Sequence, residues 1–248
     1  MSKRDNAILE MLSAERKIEV ARLSSRLGVS EVTVRKDLDC LQSKGLVQRI
    51  HGFATLTNPN DVGGRLAYHY EEKRRIASVA ATLVQNGDTV MIESGSCCAL
   101  LARELADNKE DVTIVTNSAF IANYVRDSRH VQVTLLGGTY QRDSQVMVGP
   151  LVRTCAAEFY VDRLFIGTDG WIDGVGFMSS DQMRAEAVRA MAASASEVVL
   201  VTESEKFGLR SAVPLRISNS ALRVVTDQGI DEGLRYHLEH SGARIMLA

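Results

Sequence analysis

The stretch TVMIESGSCCALLARELA, residues 89–106, decides the fold of the larger part of this chain. Branched apolar residues run into the small polar segment Glu93, Ser94, Gly95 and Ser96, and a helical pattern of apolar residues follows. The order is that of a strand, a tight loop and the start of a helix. Because the first N–H groups of a helix have no partner within the helix, this loop predicts a binding site for an anion such as a phosphate group.

The same alternation continues from residue 72 to the end of the chain. Seven short apolar runs, separated by helical patterns, predict strands at Thr89–Glu93, Val112–Thr116, Val131–Leu136, Arg163–Gly167, Glu197–Val201, Arg223–Thr226 and Arg244–Leu247. Strands that alternate with helices predict an α/β fold, in which a mainly parallel sheet has helices on both faces.

In such a sheet the ligand binds beyond the carboxyl ends of the strands, so the residues that follow each run are the candidates for an effector site. They are small, hydroxylated or glycyl, and one of them is a lysine. The predicted effector-binding residues are Glu93, Ser94, Gly95, Ser96, Thr116, Asn117, Ser118, Gly137, Gly138, Asp169, Gly170 and Lys206. Two alternatives stay open. Asp169 could instead cap a turn or pair with Arg163 or Arg184, and Lys206 could be a surface charge.

Residues 1–56 differ from the rest of the chain in charge and in pattern. They hold ten Lys and Arg residues against seven Asp and Glu residues, a formal charge of +3, while the remainder of the chain carries −5. Three short helical patterns precede residue 45, and none is long enough to be stable alone. Packed together they would bury one small core. Positive charge gathered in so small a segment is typical of proteins that bind the phosphate backbone of DNA.

The second and third helical patterns are joined by RLGVSEVTVRKDL, residues 26–38. Gly28 can end a helix and Ser30 can cap the next one, which predicts a helix-turn-helix. The following LVQRIHGFATL, residues 46–56, alternates as a two-stranded wing would. The predicted DNA-binding residues are Ser30, Glu31, Thr33, Arg35, Lys36, Arg49 and His51. The alternative is a small helical protein-interaction domain whose basic face is merely solvated.

The segment SEVTVRKDLDCLQSKGLVQRIHGFATL, residues 30–56, resembles the winged helix-turn-helix of the DeoR/GlpR family of bacterial regulators of sugar metabolism. Three residues depart from the family pattern: Val34 stands for Ile, Lys36 for Arg and Phe53 for Gly. Lys36 keeps the charge but loses the forked donor geometry of Arg, and Phe53 affects the conformation of the wing tip.

The resemblance extends over nearly the whole chain. The segments TNS, LGGTYQRDSQVMVGP, DRLFIGTDGW and TESEKFG are similar to the effector domain of such regulators, which is itself similar to ribose-5-phosphate isomerase and glucosamine-phosphate isomerase. Glu93 and Glu203 stand where the family more often has Asp. The resemblance implies two partners, double-stranded operator DNA and a phosphorylated sugar or related metabolite.

These patterns predict a winged helix-turn-helix at residues 1–56, a linker at 57–71 and an effector domain at 72–248. The linker is predicted from Pro59 and the pair Gly63-Gly64. We expect a homo-oligomer, a dimer or tetramer, because one winged module makes too small an interface for strong discrimination. No apolar run approaches the roughly 20 residues that span a bilayer, and no signal peptide is evident, so we predict a cytoplasmic protein that does not contact the membrane.

Three classes of function compete for this pattern. A sugar-phosphate isomerase would need a carboxylate base and a cation, roles that Glu93, Asp169 and Lys206 could fill. We favour a sensor without catalytic residues, because the DNA-binding module gives the pocket a purpose that needs no turnover. A DNA-binding protein without any ligand would not need the pocket. Repression relieved by the effector is the default, and the sequence leaves the sign open.

No cofactor is expected. The five histidines are scattered, and neither a phosphate-binding GxxxxGK[ST] loop nor a GxGxxG sequence after a strand is present, so metals, ATP and NAD are not implied. The four cysteines, Cys40, Cys97, Cys98 and Cys155, are expected to be reduced thiols, although the adjacent pair leaves a redox role open.

Overall fold

A computed structural model describes residues 3–43, 45–56, 62–218 and 222–248. The chain divides into two compact units, residues 1–71 and 72–248. The helices are α1 Lys3–Glu15, α2 Val20–Leu27, α3 Glu31–Ser43, α4 Val62–Ala67, α5 Tyr70–Ala81, α6 Ser96–Asn108, α7 Ala119–Tyr124, α8 Pro150–Ala156, α9 Gln182–Ala192 and α10 Glu232–His240. The strands are β1 Lys17–Glu19, β2 Val47–Ile50, β3 Phe53–Leu56, β4 Thr89–Ile92, β5 Val112–Thr116, β6 Val131–Leu135, β7 Thr139–Gln141, β8 Val146–Val148, β9 Val161–Ile166, β10 Gly170–Ile172, β11 Gly176–Ser179, β12 Ala195–Val201, β13 Val213–Pro214, β14 Leu222–Thr226 and β15 Arg244–Leu247.

The first unit is a winged helix-turn-helix built on one small core. The apolar sides of α1, α2 and α3 meet in this core through fully buried Leu9, Leu12, Leu23, Val34, Leu38 and Leu41. The wing differs from the prediction, because β1 adds a third antiparallel strand and the sheet order is β1-β3-β2. The Lys17 ammonium lies 4.4 Å from the centre of the Phe53 ring, a cation–π contact between β1 and β3. Phe53, which replaces a family glycine, is therefore part of the added sheet contact.

The segment predicted as a linker is only partly described. Residues 57–61 lie outside the described ranges, whereas Val62–Ala67 form α4, with Val62 and Leu66 fully buried. The predicted division into 1–56, 57–71 and 72–248 stays a prediction, although part of the predicted linker is helical.

The second unit is built on a parallel sheet of seven strands, in the order β15-β14-β12-β9-β4-β5-β6. All seven predicted strands belong to it, so the predicted α/β fold is confirmed. From the β4–β9 pair the chain steps outward in opposite directions, through β5 and β6 on one side and through β12, β14 and β15 on the other. Because parallel connections are right-handed, this reversal places helices on both faces and makes the carboxyl ends of β4 and β9 the point where a ligand crevice opens.

Short antiparallel pieces, which the sequence analysis did not predict, surround this sheet. One is the hairpin β7–β8, and the other is the small sheet β10-β11-β13. No helix in the described ranges combines the length and the apolar character that a membrane crossing requires.

Candidate functional sites

The predicted DNA-binding residues lie on α3 and on the hairpin β2–β3. Gly28 ends α2 with a left-handed backbone, φ 65°, and the Ser30 hydroxyl accepts a hydrogen bond from the Thr33 N–H at 3.2 Å. The predicted turn and helix cap are therefore confirmed. The Ser30 and Thr33 hydroxyls also lie 3.0 Å apart, so both side chains stabilise the start of α3.

Arg35 and Lys36 lie on the exposed side of α3. Hydrogen bonds join the hairpin β2–β3 to this helix. Arg49 of β2 donates to the Asp39 carboxylate at 2.7 Å and to the Arg35 carbonyl at 3.4 Å. The hairpin turns at His51 and Gly52, whose positive φ values of 46° and 84° are those of a type I′ turn. The exposed His51 therefore stands at the wing tip. The structure thus gathers the predicted residues on one helix and its neighbouring hairpin, and their contact with DNA stays a prediction.

We expect Arg35→Ala to weaken binding to operator DNA by about 1–3 kcal/mol, because Arg35 is exposed near the start of the helix that would enter the major groove. A gel-shift titration on protein checked for folding by circular dichroism measures this change. Arg235→Ala is the matched control, since it removes an i,i+4 ion pair with Glu239 from α10 in the second unit. Equal affinities of the Arg35 variant and the wild type would remove Arg35 from the interface.

In the second unit, the carboxyl ends of β4 and β9 meet. The Glu93 N–H donates to the Phe165 carbonyl at 2.9 Å, and a Cβ atom on Gly95 would lie 4.0 Å from the Gly167 Cα. Gly95 caps α6 with φ 144° and ψ 156°, a conformation that is essentially open to glycine alone. The glycine therefore sets how the first N–H groups of the 13-residue helix are presented.

Glu93 is buried behind this loop. Its carboxylate accepts a hydrogen bond from the Ser94 hydroxyl at 2.5 Å. Burial raises the pKa of Glu93 from its ordinary value of 4.5 to about 7; the Ser94 hydrogen bond and Arg184 counteract the rise, and Asp169 adds to it. Near neutral pH this carboxyl group can therefore either donate or accept a hydrogen bond.

We expect Glu93 to make the stability of this unit fall as the pH rises. Its pKa is higher in the folded chain than in the unfolded chain, so its contribution is fully present below pH 4.5 and is lost as the pH approaches 7, by about 3 kcal/mol. Glu93→Gln, which keeps the shape but not the titration, should flatten this dependence. Denaturation followed by the fluorescence of Trp171, the one tryptophan of the chain, measures both proteins at pH 5 and pH 8. Parallel pH profiles would contradict the assignment.

Asp169 takes the alternative that pairs it with Arg184. The two side chains lie 3.3 Å apart, and the same carboxylate oxygen accepts hydrogen bonds from the N–H and the hydroxyl of Ser180 at 2.8 and 2.7 Å. Arg163 instead bonds to Glu197 at 3.2 Å. Asp169 follows β9 directly, and its ion pair with Arg184 places both charges beyond the carboxyl end of this strand, where both also act on the pKa of Glu93. From the sequence, Arg184 is a candidate only as a partner of Asp169.

A second charged cluster stands beyond β12. The Lys73 ammonium of α5 lies 3.4 Å from the Glu203 carboxylate, and both side chains are almost wholly buried. Asp227, at the end of β14, accepts hydrogen bonds from the N–H and the hydroxyl of Ser204 at 2.7 and 2.6 Å, which join the ends of these two strands. Lys73 is not among the residues predicted from the sequence, because a buried lysine in a helical pattern has the same signature as a solvated one.

The start of α6 lies next to this cluster. The pKa of the Cys97 thiol is raised to about 12, chiefly by burial and then by Glu203, whereas Lys73 and Lys206 oppose the rise. Two cationic side chains are therefore close to the helix start. Burial raises the pKa of Cys98 as well, so both thiols stay protonated near neutral pH, which favours packing over a redox role.

Other predicted effector residues lie at the same edge but are engaged locally. The Ser118 hydroxyl caps α7, Thr116 accepts from the Ser118 N–H at 3.0 Å, and the Asn117 side chain donates to the Met147 carbonyl at 3.0 Å. The buried Asn117 Oδ1 has no hydrogen-bond partner among the described residues.

The predicted glycines also have packing roles. A Cβ atom would lie 2.7 Å from the Val148 carbonyl at Gly138 and 2.5 Å from the Leu209 carbonyl at Gly170, so both allow backbones to approach closely. Gly137 is exposed, and a Cβ atom there would lie 3.6 Å from the Cys155 sulfur. Effector binding by these residues and by Thr116, Asn117 and Ser118 stays a prediction.

Comparisons with known proteins match both units. A family model described as the DeoR C terminal sensor domain matches residues 68–228, and one described as the DeoR-like helix-turn-helix domain matches residues 4–60. The HTH-type transcriptional regulator GolR of Listeria innocua is 29% identical over 99% of this chain and 98% of its own length. The HTH-type transcriptional regulator UlaR of Escherichia coli is 27% identical over 99% of this chain and 98% of its own.

A further relative and one solved structure extend the comparison. The transcriptional repressor AccR of Agrobacterium fabrum is 29% identical over 91% of this chain and 89% of its own length. A ribose 5-phosphate isomerase from Plasmodium falciparum superposes with a TM-score of 0.41 and 15% identity, over 55% of this chain and 52% of that one. This likeness is too weak to say anything about activity.

Proposed function

The chain belongs to the DeoR family of transcriptional regulators, and from this premise we propose that a phosphorylated sugar, or a related phosphorylated metabolite, controls its affinity for operator DNA. Membership of the family makes the chain a DNA-binding transcriptional regulator rather than a sugar-phosphate isomerase, as the sequence analysis predicted. The finer points are the phosphate, the residues that hold it and the direction of the response.

The observation that carries the proposal is the meeting of the α6 start with buried and half-buried cations. Gly95 opens the first turn of the helix, where backbone N–H groups favour an anion. Lys73 and Lys206 lie close enough to this turn to lower the pKa of Cys97. A phosphate group there would receive backbone and charge-assisted hydrogen bonds.

The rest of a sugar would extend toward the junction of β4 and β9. Glu93 and Arg184 stand at this junction, and Glu93, with a pKa of about 7, can exchange hydrogen bonds with a hydroxyl group in either direction. We therefore assign the carboxylates of this edge to the recognition of hydroxyl groups. We assign no proton abstraction to them.

We propose that the protein is a repressor released by its effector. The name of the relative AccR, a transcriptional repressor, supports repression, and release by the effector is our own assignment. By linkage, an effector that prefers the non-binding state lowers DNA affinity by the coupling factor, typically 1–3 kcal/mol or roughly 5- to 150-fold.

The test is a paired titration. Sugar phosphates and the matching unphosphorylated sugars are added to the complex of the full chain with operator DNA, and the same mixtures are assayed for isomerised product. A phosphorylated sugar should shift DNA affinity at concentrations where its unphosphorylated form does not, and no product should form. A response to free sugars alone would remove the phosphate from the proposal, and turnover at enzymatic rates would contradict the sensor.

We also propose a homo-oligomer that works in the cytoplasm, where operator DNA lies. Presenting two winged modules to a repeated site multiplies affinity without any new kind of contact. Light scattering on the full chain should therefore report at least a dimer, with and without operator. A strictly monomeric species in both samples would contradict this expectation.

A further inference from the structure

The exposed side of α3 carries an apolar residue beside its cations. Val32, Arg35 and Lys36 follow at i, i+3 and i+4, and so share one side of the helix, while Val34 and Leu38 are fully buried on the other. Val32 is 60% exposed. Val32 is not among the DNA-binding residues predicted from the sequence.

We propose that Val32 and Arg35 read neighbouring base pairs of the operator, Val32 through the methyl group of a thymine and Arg35 through a guanine. The proposal rests on α3 being the helix that enters the major groove, and it is independent of the identity of the effector. In that groove only thymine offers a methyl group, and guanine offers two acceptors that suit a guanidinium group.

Neither helix stability nor packing within the chain explains a valine at this position. The branched side chain of valine lowers its helix propensity, and at 60% exposure its methyl groups remain largely in water. Single exposed apolar residues are common on protein surfaces. This one, however, lies in the first turn of the recognition helix, beside two cations that attract DNA. Contact with a thymine methyl group would bury the exposed side chain.

Arg35 is held in position by Glu31. Its Nη2 atom donates to the Glu31 carboxylate one helical turn earlier, whereas Nε and Nη1 make no hydrogen bond to any residue in the described ranges. The two side chains are 52% and 44% exposed, so the pair contributes little to stability. A carboxylate near the DNA backbone is also repelled by phosphates. Neither stability nor attraction to DNA therefore explains Glu31 at this position. We assign it as a positioning residue, which holds the guanidinium group of Arg35 so that the remaining donors face a base.

The spacing suits adjacent base pairs. A helix rises 1.5 Å per residue, so Val32 and Arg35 are separated by about 4.5 Å along the axis of α3. Successive base pairs are about 3.4 Å apart along DNA. Two side chains on one face at this separation reach neighbouring base pairs, and each half-site should contain a guanine next to a thymine.

The experiment begins with selection of binding sites by the full chain from a random pool of double-stranded oligonucleotides. In the selected site, each thymine is replaced singly by uracil, which lacks only the methyl group, and each guanine by 7-deazaguanine, which lacks the N7 acceptor. At one thymine, uracil should weaken wild-type binding by about fourfold, the value of one buried methyl group, and should not weaken binding by Val32→Ala. At the adjacent guanine, 7-deazaguanine should weaken wild-type binding on the order of tenfold and Arg35→Ala not at all.

Two further variants separate reading from backbone attraction and from fold. Lys36→Ala should weaken binding to all sequences alike and keep both base-analogue penalties. Glu31→Ala should shrink the 7-deazaguanine penalty while the circular dichroism spectrum stays unchanged, and Glu31→Gln, which retains an acceptor oxygen, should restore part of it.

Three results would overturn the proposal. The selection could yield no common sequence, or half-sites without adjacent guanine and thymine. Uracil could weaken Val32→Ala as much as it weakens the wild type. Arg35→Ala could keep the full 7-deazaguanine penalty. A Glu31→Ala protein with an undiminished penalty would overturn the positioning role of Glu31.

Discussion

Gly95→Val is expected to abolish the effector response while DNA binding in the absence of effector stays within about twofold of the wild type. At φ 144° and ψ 156° a branched side chain is strongly strained, by several kcal/mol. A Cβ atom there meets only ordinary contacts, the nearest being the Cys98 sulfur at 3.7 Å. The strain is therefore in the backbone, which would rotate and redirect the first N–H groups of α6.

The matched control is Gly87→Val. Gly87 also has a positive φ, 84°, and a Cβ atom there would meet nothing within 4 Å, but it precedes β4 at the opposite end of the same strand. Both substitutions strain the backbone, and only Gly95→Val alters the carboxyl edge of the sheet.

Lys206→Ala should weaken the effector response by an amount between those of Gly87→Val and Gly95→Val. Fluorescence anisotropy measures the operator affinity of each protein with and without the sugar phosphate that the titration identifies. A Gly95→Val protein that responds normally would place the phosphate elsewhere.

The sequence predicted the large sheet because its strands are buried on both faces. Such strands read as continuous branched runs, as in Val198–Val201, and all seven were recognised. The antiparallel pieces have no such signal. The strands β7, β8 and β13 are two or three residues long, and Lys17–Glu19 in the wing is a three-residue strand just before a helix. Their pairing depends on partners that are distant in sequence.

The sequence predicts which loops form the candidate effector site, but not which of these loops lie next to each other. The rule that ligands bind at the carboxyl ends of parallel strands selected residues after β4, β5, β6, β9 and β12. The order of the strands, which brings the Glu93 loop beside Gly167 and Asp169, follows from long-range pairing that no local pattern encodes. The same rule selects Thr116 and Ser118, whose hydroxyl oxygens accept hydrogen bonds from the backbone N–H groups of Ser118 and Ile121; effector binding by their O–H groups stays a prediction.

Lys73 shows most clearly what the sequence does not contain. A lysine in an amphipathic helix normally lies in water, yet Lys73 is 2% exposed and faces Glu203, 130 residues away in the chain. We expect Lys73→Met to destabilise the second unit by about 3–5 kcal/mol, because it leaves the buried Glu203 carboxylate without the ammonium group 3.4 Å away. Among the described ion pairs, the exposed Arg153–Glu186 pair offers the contrast. Arg153→Met should change stability by no more than about 1 kcal/mol.

The pH dependence and a second substitution distinguish this charge effect from lost packing. The pKa of Glu203 is already raised by burial, against the pull of Lys73, and removing Lys73 raises it further. Protonation of Glu203 then removes the buried negative charge that Lys73 no longer balances, so the destabilisation by Lys73→Met should be largest at alkaline pH and should shrink as the pH falls. The double variant Lys73→Met with Glu203→Gln should recover most of the loss at pH 8, because neither partner is then charged. Urea denaturation followed by Trp171 fluorescence measures the free energy of unfolding of the wild type, Lys73→Met, Arg153→Met and the double variant. A destabilisation that is independent of pH and is not relieved in the double variant would mean that the methylene groups of Lys73, and not its charge, hold α5 against the sheet.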